Sequence, residues 1–251
     1  MALSSTQKKL FHTVVARNLF LSKRARPDIQ TAVAFLCTRV MDPDTDDWKK
    51  LVRLLTYLKC TKDDTLTLGS NNCCIVKWWI DGSYAVHPDY RSQTGGTMSM
   101  GTGSIYSTSQ KQKINTKSST ETEVVATDDV LPQVIWTMYF LTHQGYKCEH
   151  IVMQDNESAI KLEENGHASS GKRTRHMNVR YFFIKDRIDS GEIKVEHCST
   201  DLMRGDFFTK PLQGYKFRFF KALIMGHEIP PKPIARPSSP RSVLDSATIP
   251  T

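Results

Sequence analysis

No stretch of the 251-residue chain approaches the roughly 20 consecutive apolar residues that a membrane-spanning helix needs, so no membrane partner is expected. The first twenty residues, MALSSTQKKLFHTVVARNLF, hold basic side chains but no apolar block of about 7–15 residues. No secretory leader is therefore expected, and the cytoplasm or nucleus is the expected compartment. Cysteine is scarce and irregularly spaced. Cys37, Cys60, Cys73, Cys74, Cys148 and Cys198 form no CxxC pair, which argues against a zinc site or a disulfide framework and for reduced thiols. Acidic residues are outnumbered, with 26 Asp and Glu against 34 Lys and Arg, for a net charge of +8. A basic balance suits a polyanionic partner, and a merely solvated basic surface is the plain alternative.

What is present is enough for a packed core: 39% hydrophobic residues beside 24% charged ones. Residues 11 to 59 carry apolar side chains at near-helical spacing, broken at Pro27 and again by the acidic turn from Asp42 to Asp47. Trp48, Leu51, Leu54, Leu55 and Leu58 fall on one helical stripe. The polar run TKDDTLTLGSNN then marks a boundary. From Cys73 the pattern turns to strands: CCIVKWWIDGSYAV, then two short runs around Met100-Gly101-Thr102-Gly103 that suggest a hairpin. A long helix is expected from Ser119 to His143, with Val124, Leu131, Val134, Ile135, Met138 and Phe140 toward a core and a bend or shifted start at Pro132. Trp78, Trp79 and Trp136 are assigned to packing. A strand (HIVMQD), a helix (ESAIKLEEN), a basic loop, a helix (VRYFFIKDRIDS), a strand (EIKVEHC) and a last helix around DFFTK follow. The expected order is β-β-β-α-β-α-α-β-α. Residues 227–251, rich in Pro and Ser, read as a disordered tail.

Four acids stand where this order would bring them together. Asp81 interrupts the apolar strand WWIDGS, Glu123 lies in the first turns of the long helix, Asp155 ends IVMQD, and Asp206 precedes FFTK. A carboxylate inside a buried strand is costly unless it is paired, protonated or bound to a metal, and several without cationic partners call for a hard cation. Each also has a local explanation, a turn at Asp81-Gly82, caps at Asp155 and Asp206, and a helix-dipole role for Glu123.

The segments IDGSYAVHPDYRSQTGG, STSQKQKINTKSSTETEVVA, MQDNESAI, KRTRHMNVRYFFIKDRI and DFFTKPLQG together resemble the ribonuclease H domain of copia-type retrotransposon polyproteins. ARPDIQTAVAFLCTRV and DWKKLVRLLTYLK resemble the C-terminal end of the reverse transcriptase region in the same polyproteins. The resemblance implies residues 1–62 as a helical remnant of that region and 73–226 as a ribonuclease H-like α/β domain, with a mixed five-stranded sheet flanked by helices. It also implies a metal-dependent endonuclease that hydrolyses the RNA strand of RNA/DNA hybrids. Asp81, Glu123, Asp155 and Asp206 would be its catalytic and metal-holding residues, with Glu121 as the rival of Glu123. Two Mg²⁺ ions, for which Mn²⁺ may substitute, would lower the pKa of the attacking water and stabilise the leaving oxygen.

Expected partners are the RNA/DNA hybrid and the rest of the reverse transcriptase in a parent polyprotein. Lys111, Lys113, Lys117, Lys172, Arg173, Arg175 and His176 are the candidate nucleic-acid contacts, with solvated loops as their plain alternative. His176 is an equally good helix-start residue. An integrase-like nuclease is a competing reading, though there the Glu usually follows both Asp residues. A catalytically decayed fragment that only binds nucleic acid is another, and the chain has no YxDD polymerase motif. Arg204-Gly205 departs from the apolar residue and Ala usual in the family. Gly205 is expected to weaken the helix start by roughly 0.5–1 kcal/mol relative to Ala, and Arg204 to compete with metal or, from the opposite side of the turn, to face phosphate or solvent. On that expectation, replacing the pair by Ile and Ala should tighten metal binding.

Overall fold

The computed structural model describes residues 2–165 and 178–233. The chain opens with helix α1 (Ser5–Arg24), started by a capping box in which Ser4 and Gln7 exchange hydrogen bonds. Pro27 cannot continue a helix, and a short 3₁₀ turn over Pro27–Ile29 leads into α2 (Gln30–Cys37). Asp44 caps α3 (Thr45–Cys60), from the acidic turn expected to do so. Phe11, Val15, Ile29, Val33, Leu36, Leu51 and Leu54 form the core of these helices.

A two-stranded ribbon pairs β1 (Gly69–Ser70) with β4 (Gly101–Thr102). The main sheet holds β2 (Ile75–Ser83), β3 (Gln93–Ser99), β5 (Tyr106–Lys111), β6 (Glu149–Gln154) and β7 (Lys194–His197), in the order β5-β3-β2-β6-β7. The first three are antiparallel, whereas β6 and β7 run parallel to β2. Helix α4 (Ser119–His143) makes the crossover to β6, followed by α5 (Glu157–Asn165), α6 (Asn178–Asp189), α7 (Asp206–Thr209) and α8 (Gly214–Met225). This is a ribonuclease H-like fold: a mixed five-stranded sheet flanked by helices. No helix among the described residues is long and apolar enough to cross a membrane.

Strand alternation divides β2 between two layers. Val76, Trp78 and Ile80 enter the main core with Val124, Leu131 and Val134 of α4, whereas Trp79 packs with Met153, Cys198 and Met203 on the other face. The N-terminal helices lie against the sheet, with the Thr31 hydroxyl donating to the Phe207 carbonyl at 2.6 Å and the Gln30 amide to that of Ser107 at 3.0 Å.

Two packing expectations are corrected. Trp136 is 59% exposed and Phe140 48% exposed; they stack on each other outside the core, one helical turn apart, with centroids 5.3 Å apart. An i, i+4 aromatic pair satisfies helical periodicity on an outer face as readily as on an inner one. Helix α4 also runs unbroken through Pro132, so its start is not shifted to the proline. Helix α8 was not anticipated beyond DFFTK, although Gly226 ends it with φ of 72°, a legible C-terminal signal. Of the expected tail, residues 234–251 lie outside the described residues.

One core group has a measurable consequence. Glu163 on α5 is fully buried, and neither carboxyl oxygen has a hydrogen-bond partner of normal geometry among the described residues. The Thr127 hydroxyl is near enough to favour the carboxylate slightly but is itself unbonded. Burial pushes Glu163 from its ordinary value of 4.5 up to about 8. The folded pKa is raised, so stability is greatest below about pH 4.5, falls as pH rises, and levels off above about 8. At pH 7 the cost of keeping this group protonated is about 3 kcal/mol. Glu163→Gln should flatten that slope when denaturant midpoints are compared from pH 5 to 8; parallel curves would show that Glu163 is solvated.

Candidate metal centre

The parallel register of β2 and β6 pairs Trp79 with Met153, so two residues further on Asp81, still within β2 and paired with Gly95, stands level with Asp155, just past the end of β6. Helix α7 packs against β3, β2 and β5 and supplies Asp206. The three carboxylates converge, with one oxygen from each lying within 4.8 Å of the others. Asp81 and Asp206 are buried and Asp155 is half-buried. Glu123 reaches the rim from the first turns of α4, where its Oε2 accepts the Gly82 N–H at 2.9 Å. Glu121 is turned the other way and accepts the Lys117 N–H at 2.7 Å. Asn156, not Asp155, caps α5, and Asp206 makes no cap hydrogen bond. The local alternatives for those two acids therefore lose their support.

Gathering the acids has an electrostatic cost. Burial pushes Asp81 up to about 6; Lys210 opposes that rise, and Asp206 and Asp155 add to it. Burial, then Asp81 and Asp155, hold Glu123 well above the ordinary carboxylate range, against the Gly82 N–H. Two lysines partly compensate. Lys210 pairs with Asp206 and stands 3.6 Å from Asp81, and Lys216 Nζ lies 3.0 Å from Asp206. The Thr209 hydroxyl donates to Asp81. The i, i+4 spacing of Asp206 and Lys210 is a signal in the sequence for the first of these lysines, while Lys216, ten residues on from Asp206, has none.

Glycines allow this close assembly. A Cβ on Gly205 would stand 2.7 Å from the Asp81 Cβ and 2.9 Å from its backbone nitrogen, and one on Gly95 would stand 2.6 Å from the Thr209 methyl. The expectation that Gly205 is a weakness is therefore corrected: the backbone of the α7 start lies against β2 with no room for a side chain. Arg204 is not a competitor for metal either. Its guanidinium stacks on Trp79, 4.1 Å from the ring centroid, in the Cys198–Met203 layer.

Of the expected nucleic-acid contacts, Lys113 and Lys117 are exposed on the loop leading into α4, and Lys111 is paired with Asp89 at 2.6 Å. Lys172, Arg173, Arg175 and His176 lie outside the described residues.

No protein-family model matches the chain. The retrovirus-related Pol polyprotein from transposon TNT 1-94 of Nicotiana tabacum is 32% identical over 221 residues, which is 86% of this chain. The chain is homologous to copia-type retrotransposon Pol polyproteins. A second such polyprotein, from transposon RE2 of Arabidopsis thaliana, is 32% identical over 82% of the chain. The chain spans 16% and 14% of the lengths of these two Pol polyproteins. Among solved structures, a ribonuclease H1 isolated from compost aligns with TM-score 0.40 and 13% identity, covering 54% of this chain and 93% of that one.

Proposed function

We propose that this Pol-related chain is a divalent-metal-dependent endonuclease that hydrolyses the RNA strand of RNA/DNA hybrids. The observation that carries the reading is the convergence of Asp81, Asp155 and Asp206, with Glu123 at the rim, on a ribonuclease H-like sheet. A donor set of oxygen anions without His or Cys suits hard cations such as Mg²⁺, and Mn²⁺ as a substitute. Asp81, Asp155 and Asp206 would hold the metal, with Glu123 able to join from the rim. When bound, it supplies a deprotonated water at neutral pH and charge stabilisation for the leaving oxygen.

The remaining work belongs to the chain's own residues. β2 and β6 fix two carboxylates by register, while the Thr209 hydroxyl orients that of Asp81. Lys113 and Lys117 present exposed ammonium groups beside the start of α4, suited to the phosphates of a hybrid. Such contacts position the substrate without reading bases, so selection would rest on helix geometry and the 2′-hydroxyl.

The test is incubation with a labelled RNA/DNA hybrid in Mg²⁺, beside single-stranded RNA and duplex DNA. Cleavage confined to the RNA of the hybrid is expected; equal cutting of duplex DNA would overturn the assignment.

A further inference from the structure

Asp206 has both carboxylate oxygens engaged by ammonium groups. Lys210 Nζ bonds to Oδ1, and Lys216 Nζ lies 3.0 Å from Oδ2. Lys210 also stands 3.6 Å from an oxygen of Asp81, so it sits within the carboxylate cluster itself. Resting on the metal-centre reading above, we propose that the Lys210 ammonium is a resident counter-ion of this cluster, which a divalent cation must displace in order to bind.

Three features support displacement over coexistence. The cluster is narrow, with its ligand oxygens within 4.8 Å, and Lys210 already holds two of the three acids. An ion bound by Asp81 and Asp206 would place a double positive charge beside the ammonium, an unfavourable contact in a buried setting. Finally, Lys210 can leave. Its side chain is 40% exposed and flexible, whereas the two acids it pairs with are 2% and 1% exposed and fixed on β2 and α7.

The exchange has a functional consequence. Metal entry releases an ammonium group at the mouth of the centre, where the phosphate of a bound polyanion would take it up. By linkage, a polyanion that draws Lys210 outward favours metal entry to the same degree. The lysine would thereby keep the acids paired in the metal-free chain and couple metal binding to substrate binding. It acts as a positioning residue, through the carboxylates, and has no assigned contact with reacting atoms.

Mn²⁺ binding to the full chain, read by the electron paramagnetic resonance of free Mn²⁺ without nucleic acid, tests the exchange independently of activity. Lys210→Met should bind Mn²⁺ about tenfold more tightly than the parent chain, because the competing charge is gone. Lys210→Arg should stay near the parent affinity. Lys8→Met, which removes an α1 charge paired with Asp42, should leave it unchanged. The metal-free melting temperature of Lys210→Met should fall and recover with Mn²⁺. Lys210→Gln, which retains a hydrogen-bond donor, serves in its place if the Met variant does not fold. Equal or weaker Mn²⁺ binding by the folded neutral variants would overturn the counter-ion role while leaving the metal centre standing. Failure of every form, including the parent, to bind Mn²⁺ would overturn both.

Discussion

Asp155→Asn should lower the rate of hybrid cleavage by at least about a hundredfold while changing hybrid affinity by no more than a few-fold. The expected loss is large because a neutral amide is a far poorer ligand for a hard cation, and most of the rate enhancement at such a centre comes from charge stabilisation. Affinity should persist because it rests on phosphate contacts from basic side chains at a distance from the acids. Asp155 is the best of the three acids to change. It is half-buried, and its carboxylate accepts a hydrogen bond from the Thr200 hydroxyl at 3.1 Å, so the fold has little stake in its charge. Cleavage, hybrid binding and thermal melting should be measured on one preparation. Lost binding by a folded variant, or retained cleavage, would show that Asp155 has another role.

Gly205→Ala should destabilise the chain by about 1–3 kcal/mol and weaken metal binding, the reverse of what helix propensity alone indicates. The reason is local. The added methyl would meet the Cβ and backbone nitrogen of Asp81 at 2.7 and 2.9 Å. A backbone atom in a central strand has no rotamer with which to retreat, so α7 must move away from β2 and carry Asp206 with it. Gly95 holds the same helix from the neighbouring strand, close to Thr209 and Phe208. Denaturant midpoints and a Mn²⁺ titration of the variant against its parent are the measurements. An unchanged midpoint with unchanged metal affinity would mean that the close approach is relieved by a small shift and does not set the geometry of the centre.

The acids were legible in the sequence because their surroundings made them anomalous. Asp81 follows Trp78-Trp79-Ile80, and Asp155 follows Ile151-Val152-Met153-Gln154, so in each case a charge follows a largely apolar run. The long helix was legible for the same kind of reason, its bounds Ser119–His143 following from sustained periodicity with Ser118 as cap. The departures have physical causes. Periodicity does not tell which face of a helix is covered, so Trp136 and Phe140 were placed inside although they stack in solvent. Close approach between segments distant in sequence leaves no local trace, and Gly205, more than 120 positions from Asp81, was read as a defect although it is a fitted contact. Lys216 was invisible for the same reason. Arg204 was read as a charge near a charge, but its partner is the face of an aromatic ring.

The most direct test of the central claim joins metal occupancy to chemistry. A hybrid labelled on both strands is incubated with the chain while Mn²⁺ is titrated, and bound Mn²⁺ and strand cleavage are followed in the same samples. Cleavage of the RNA strand alone should rise in step with occupancy of the carboxylate centre and vanish on addition of EDTA. Cleavage that persists in EDTA, or Mn²⁺ binding that saturates with no cut in either strand, would contradict it.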